Sequence, residues 1–154
     1  MNKLTLKITG IIVLLFLFSC KTYTISPESF REQMKNANSS SMKEVNINNP
    51  LKPLLPLLPL NITYSSNNIN HLIVKNKEGI EMLLDNSPAI EMRVTHRNGK
   101  KYIVYFDTVI LENDTLKGGR SRTIQGITRQ IPMDSIIKIE VQDGGKNYNY
   151  KKNK

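Results

Sequence analysis

Short apolar runs separated by turn-forming residues dominate the second half of the chain. Runs of strand length occur at 72–74, 80–84, 89–97, 100–111, 127–131 and 136–142. The last run alternates through Ile137, Ile139 and Val141, as a strand with one buried face does. The polar turn at 76–79 makes the first two runs an opening hairpin. The pattern predicts a mainly β fold over residues 70–150, either a small antiparallel β-sheet or a small barrel.

Asn98-Gly99 separates two of these runs and is the dipeptide most typical of a two-residue type I′ hairpin turn. Such a turn places Arg97 opposite Lys100 and therefore Val94 opposite Ile103, because the turn type fixes the register of the strands. We expect Val94 and Ile103 to lie on the core face of this hairpin.

The strand after Asn98-Gly99 contains an acidic residue where the alternation predicts an inward position. Continuing the alternation places Leu111 on the core face, and a second tight turn at Asn113-Asp114 returns Leu116 opposite it. Asp107 then points inward as well. Because a buried carboxylate without a partner is costly, we predict a β-bulge or sharp bend near Asp107 that redirects it.

The order of elements between Tyr102 and Gln142 is a long bent strand, a tight hairpin, a strand ending in Ile131-Pro132, a tight turn and a terminal strand. This order resembles that of the small SH3-like or Sm-like barrels. The resemblance implies a barrel architecture and carries no activity with it.

Residues 20–69 are predicted to form a tether in front of the β domain. Ser26-Pro27-Glu28 is typical of a helix start, which predicts a short helix near 27–35. Residues 36–49 are rich in Asn, Ser and charge without periodicity, which predicts disorder.

Prolines at 50, 53, 56 and 59 recur every third residue, with leucines between them. This repeat predicts polyproline II over 50–60. A leucine-covered segment indicates contact with something, so it either wraps across the β domain and completes its core, or docks on a partner or the lipid interface. The candidate binding residues are Leu54, Leu55, Leu57 and Leu58.

The first nineteen residues have the pattern of a secretory leader. Lys3 and Lys7 supply a positive start, and the apolar run 8–18 is too short for a membrane span. The run ends in Leu17-Phe18-Ser19-Cys20, which resembles the lipobox of bacterial lipoproteins. That resemblance implies cleavage after Ser19 and lipid attachment to Cys20.

Lys21 follows the cysteine, where an aspartate would imply retention at the inner membrane. The resemblance therefore implies a lipid-anchored protein of the outer membrane in the cell envelope. Because no acidic run follows Cys20, we expect the protein to face the periplasm. The chain as a whole resembles small envelope lipoproteins of Gram-negative bacteria. This resemblance implies a location in the cell and no particular activity.

Composition limits the chemistry that the chain can perform. One Cys and two His among 154 residues leave no disulfide framework and no Cys/His metal cluster, and no cofactor-binding motif is present. The formal charge of +9 predicts either a solubilising surface or a basic patch that holds anionic lipid, acidic polymer or nucleic acid. Nucleic acid is the least expected of these partners for a secreted protein. A basic tail occupies 151–154.

The glycine-containing loop 117–122 carries Arg120 and Arg122. It is predicted either to cradle an anion with its amides and guanidiniums or to be a solvated turn. His71, His96 and Asp107 fit no recognisable catalytic spacing.

Three functions are compatible with the sequence. The first is a membrane-anchored, non-enzymatic binding or accessory module that contacts another envelope protein. The second is a binder of an anionic envelope polymer or lipid through a basic β face. The third is an enzyme, which requires His71, His96 and Asp107 to converge in one pocket.

Overall fold

A computed structural model describes residues 21–124, 126–143 and 146–151. Within these ranges the chain forms one α-helix, α1 (Pro27–Met34), and eleven strands. The strands are β1 (Lys21–Ile25), β2 (Lys43–Asn48), β3 (Asn61–Ser66), β4 (His71–Lys75), β5 (Glu81–Asp85), β6 (Glu91–His96), β7 (Lys101–Tyr105), β8 (Ile110–Glu112), β9 (Thr115–Gly119), β10 (Thr128–Pro132) and β11 (Ile136–Asp143). The prediction of a mainly β, antiparallel fold is confirmed.

The described strands lie in three antiparallel sheets. The largest has the order β5-β4-β1-β11-β6-β7, the second has the order β10-β9-β8, and β2 pairs with β3 alone. The predicted order of elements over Tyr102–Gln142 is present, but the barrel alternative is wrong for the described residues. A 3₁₀ turn at Phe106–Thr108 separates β7 from β8, so the two strands belong to different sheets instead of closing one.

Strand β1 lies inside the largest sheet, so the prediction of a tether over 20–69 is wrong for residues 21–69. It pairs with β11 over five residues and with β4 at one position. Tyr23 and Ile25 are buried in the core. Five residues are too few to show periodicity against the polar sequence that follows, and the strand is stabilised mainly by pairing with the distant β11.

Helix α1 matches the short helix predicted near 27–35. Ser26 Oγ accepts the Ser29 N–H at 3.1 Å, and Pro27 occupies the first turn. Phe30 and Met34 are fully buried against the large sheet. The helix is therefore part of the core.

Gln33 of α1 completes the hydrogen bonding of β4 where β1 diverges from it. Its side-chain amide donates to the Ile73 carbonyl at 3.0 Å and accepts the Ile73 N–H at 2.7 Å. The amide thus substitutes for a neighbouring strand at this position.

The segment predicted to be disordered, 36–49, is ordered by partners that are distant in sequence. Ser39–Ser41 form a 3₁₀ turn capped by the Asn38 side chain, and β2 pairs with β3 over six residues. Ile47 is buried with Ile62 and Tyr64 in a second small core. The fold therefore begins well before the predicted boundary at residue 70.

The hairpin between β6 and β7 has a three-residue loop, and its predicted register is wrong by one residue. His96 N–H donates to the Lys100 carbonyl at 2.9 Å, and only Gly99 of the loop has positive φ, +80°. Asn98 instead accepts the Lys100 N–H with its side chain. This geometry is a type I turn followed by a glycine bulge.

The changed register reverses which side chains of β7 point towards the core. Val94 pairs with Tyr102 and not with Ile103, which is exposed, while Val104 is buried. The second predicted turn is confirmed, because Asn113 and Asp114 have φ of 48° and 54° and Leu111 pairs with Leu116.

Replacing Phe30 with alanine tests whether α1 belongs to the core. Because Phe30 is fully buried, Phe30→Ala is expected to lower the free energy of unfolding by about 3–5 kcal/mol, measured by urea denaturation. If Phe30 belonged to a flexible tether, the same substitution would leave the free energy of unfolding almost unchanged. Leu57→Ala is the matched control, since Leu57 is fully exposed and its truncation is expected to change stability by less than about 0.5 kcal/mol.

Candidate binding surfaces

The residues that carry the lipobox resemblance, Leu17 to Cys20, lie outside the described residues, as does the cleavage position after Ser19. The description begins with Lys21, the first residue of β1. Residues 152–154 of the predicted basic tail also lie outside it. Within the described ranges, no helix combines the length and apolar character needed to cross a bilayer.

The proline- and leucine-rich residues Asn49–Leu60 connect β2 to β3, and we call them the Leu/Pro tip. Asn48 and Asn61 are paired across the hairpin, so the two ends of the tip lie side by side. A polyproline II rod of this length would separate its ends by roughly 30 Å. The prediction of polyproline II over 50–60 is therefore wrong, because the segment must reverse direction.

The Leu/Pro tip is built from successive turns. Lys52 N–H donates to the Asn49 carbonyl at 3.1 Å, Leu54 and Leu55 N–H groups to Leu51, and Leu58 N–H to Leu55. Asn49 closes the base, since its side-chain amide donates to the Pro59 carbonyl and its N–H to the Leu60 carbonyl.

The leucines of the tip face outward. Leu57 is 103% exposed and Leu54 77%; Leu55 is also exposed, and Leu58 is half-buried. The expectation that this segment wraps across the β domain is therefore wrong. The alternative expectation, a surface available to a partner or to lipid, agrees with these exposures.

The two arginines of the predicted anion loop have different environments. Arg120 is exposed, whereas the whole Arg122 residue is only 2% exposed. The Arg122 guanidinium is directed inward, and its Nη2 donates to Asp107 Oδ1 and to the Pro88 carbonyl, each at 2.6 Å. The prediction of an anion-binding loop that uses both arginines is therefore wrong.

Asp107 is fully buried and receives hydrogen bonds from three side chains. Arg122 binds Oδ1, while the Tyr64 and Tyr150 hydroxyls donate to Oδ2, the latter at 3.0 Å. The predicted bend is present as the 3₁₀ turn at Phe106–Thr108. It does not expose the carboxylate, which is neutralised in the interior by a cation from a distant loop.

Tyrosine rings enclose the Arg122 guanidinium. Its central carbon lies 4.0 Å from the centre of the Tyr105 ring, 4.6 Å from that of Tyr64 and 6.0 Å from that of Tyr148. Nε and Nη1 of Arg122 have no hydrogen-bond partner, so these ring faces provide their main favourable electrostatic contact.

The two histidines lie apart from this cluster. His71 is exposed on β4, where Nδ1 contacts Asp85 at 2.7 Å, and His96 ends β6. Strands β1 and β11 separate β4 from β6 in the sheet. The convergence of His71, His96 and Asp107 that an enzyme would require is therefore not found. Within the described part of the chain, no group of three or more His, Cys, Asp or Glu residues could hold a metal.

A cleft of about 300 Å³ lies beside Arg122, between β3 and the β9–β10 hairpin. Met42, Ile110 and Ile124 contribute apolar walls. The Lys117 ammonium at its edge already pairs with Glu112 at 2.9 Å. The cleft thus offers apolar contact to a small molecule, with its charged groups largely engaged.

The Leu/Pro tip was predictable from the sequence, whereas the Asp107–Arg122 pair was not predicted. The signal was present, because an inward Asp107 requires a buried cation. Arg122 could not be selected among the arginines by spacing alone, since the loop that carries it gives no periodicity.

Comparisons with protein-family models, with curated protein sequences and with solved structures found no match to this chain.

Removing the buried cation tests the pairing. Arg122→Met leaves the Asp107 carboxylate buried without its counterion, so it is expected to lower the free energy of unfolding by about 3–5 kcal/mol in urea denaturation. Adding Asp107→Asn to this variant is expected to recover part of the loss. Arg120→Met is the control and should change stability by less than about 0.5 kcal/mol. Equal small effects at 120 and 122 would contradict the assignment.

The raised pKa values of the buried tyrosines lead us to expect a loss of stability in alkali. Burial, followed by the Asp107 charge, raises the pKa of Tyr150 to about 12 from 10.0 and raises that of Tyr64 in the same direction. A raised phenol pKa stabilises the fold below pH 10 and loses that contribution as pH rises towards 12. Between pH 10 and 12 the free energy of unfolding should fall less steeply for Tyr150→Phe than for the control Tyr102→Phe. Tyr102 is the control because its ring does not contact Asp107.

Proposed function

We propose that this chain is a lipid-anchored protein of the cell envelope that acts as a non-enzymatic binding or accessory module. In this proposal the chain is cleaved after Ser19, carries lipid on Cys20 and is held at the outer membrane facing the periplasm. The Leu/Pro tip is the contact surface. The observation that carries the binding role is the exposure of its leucines.

The support for anchoring comes from the sequence and from where the fold begins. The lipobox-like Leu17–Cys20 directly precedes Lys21, and Lys21 is already paired with β11 in the large sheet. No long linker therefore separates the proposed lipid from the folded domain. Such a domain would be held within a few residues of the membrane surface.

The support for a binding role is the cost of leaving a leucine-rich loop in water. Contiguous apolar surface on a soluble domain usually marks a contact site. The buried polar cluster around Asp107 is engaged in internal hydrogen bonds. This arrangement favours a module that binds over one that reacts.

In the alternative proposal the chain binds an anionic polymer or lipid at a basic face. Arg122 is not available for that contact, because its guanidinium is paired with Asp107 inside the fold. Other lysines and arginines remain on the surface, so the alternative stays a prediction. A contact of that kind would weaken steeply with added salt, whereas a contact made by leucines would not.

Membrane fractionation of the wild type and Cys20→Ala tests the proposal. In a Gram-negative host the wild type should sediment with outer membranes, and its mature N-terminal peptide should carry the mass of attached acyl chains. Cys20→Ala should lose both properties. Ser19→Ala is the matched control, because a small residue is retained before the cysteine. If wild type and Cys20→Ala fractionate alike and neither is acylated, the anchoring proposal is wrong.

A further inference from the structure

The Leu/Pro tip lies at the same end of the molecule as Lys21. Lys21 pairs with the last residue of β11, and the neighbouring Gln142 pairs with Glu91 at the start of β6. Glu91 binds the Lys146 ammonium at 2.5 Å. This end of the sheet is thus the one at which the chain enters the fold.

From Lys146 the chain leads directly to the base of the tip. The Asn147 carbonyl accepts the Asn48 side-chain amide at 2.7 Å, and the Asn48 backbone N–H donates to Asn149 at 3.1 Å. Asn48 is the residue before the tip. A surface that approaches Lys21 from outside therefore also approaches the Leu/Pro tip.

The tip has the charge expected of a segment that meets anionic lipid. No acidic residue occurs between Glu44 and Glu78. The one charged residue in the tip, Lys52, turns its ammonium back onto the carbonyls of Pro56 and Leu58. Negatively charged headgroups would meet leucines, prolines and a lysine, and no carboxylate in the tip would repel them.

Most backbone N–H groups of the tip are hydrogen-bonded within the tip. Its four prolines have no N–H, and six of the remaining eight N–H groups donate to acceptors within the tip itself, those of residues 49, 51, 52, 54, 55 and 58. Backbone donors must be satisfied internally where water is excluded by lipid. A protein partner that adds a strand would need free donors instead.

We infer that the Leu/Pro tip inserts into the headgroup and acyl boundary of the membrane that holds the lipid on Cys20. The tip is then a second attachment point, and the two together fix the orientation of the domain on the bilayer. This inference rests on the proposed anchoring. The acyl chains on Cys20 supply the stable attachment, and the exposed leucines of the tip add apolar area that can be buried at the same surface.

A fluorescent label in the tip tests this inference. In the mature acylated protein the thiol of Cys20, the single natural cysteine, is blocked, so Leu57→Cys provides one reactive thiol at a fully exposed position. Lys100→Cys is the matched control, because Lys100 is exposed in the β6–β7 loop at the other end of the sheet. Both chains are labelled with an environment-sensitive nitrobenzoxadiazole and reconstituted into phosphatidylethanolamine–phosphatidylglycerol vesicles.

The label at 57 is expected to emit at shorter wavelength and to be quenched several-fold more strongly by lipids carrying a nitroxide near the headgroup than the label at 100. Equal quenching at the two positions in an acylated chain overturns the inference and leaves the anchor intact. If the label at 57 is shielded in native membranes from both aqueous iodide and nitroxide lipid, a protein covers the tip and the inference is wrong.

Mass spectrometry of the N-terminal peptide separates this failure from failure of the proposed function. An unacylated peptide overturns the anchor and the inference that rests on it. A third variant, Leu54→Asp with Leu57→Asp, keeps Cys20 and the core. It is expected to remain acylated while a label at Leu60→Cys loses most of its nitroxide quenching relative to Leu60→Cys alone.

Discussion

The buried ion pair between Asp107 and Arg122 connects parts of the chain that otherwise belong to different sheets. Asp107 follows the edge strand of the large sheet, Tyr64 comes from the β2–β3 hairpin, and Tyr150 from the C-terminal segment. Arg122 enters from the loop after β9 and also binds the Pro88 carbonyl. Because burial without partners would be costly, each segment must be in place for the others to be stable. The hairpin that presents the Leu/Pro tip is held through this cluster.

The sequence predicted what depends on local pattern and missed what depends on distant pairing. Short-range signals at Asn113-Asp114, at Ser26-Pro27 and along β11 correspond to a turn, a helix start and a strand in the structure. Strand β1 escaped prediction because its partner lies more than a hundred residues away. The register at Asn98-Gly99 was wrong because the Asn98 side chain stabilises a competing turn.

The candidate surface was predicted by composition and misjudged in conformation. A proline at every third position favours polyproline II only while the ends of the segment are free to separate. Here the pairing of Asn48 with Asn61 brings them together, and the same residues form turns that project their leucines outward. The apolar character of the segment was therefore readable from sequence, but its direction and exposure were set by the hairpin beneath it.

The central position of β1 also determines when the fold can be completed. The first described strand is inserted between β4 and β11, and β11 is the last of the described strands. In a chain that appears from its N-terminus, the edge of Lys21–Ile25 that faces β11 stays unpaired until residues 136–143 are available. Pairings so distant in sequence close slowly. Completion of the large sheet consequently requires residues 136–143, and a chain truncated before residue 136 would lack the strand with which its own first strand pairs along its whole length.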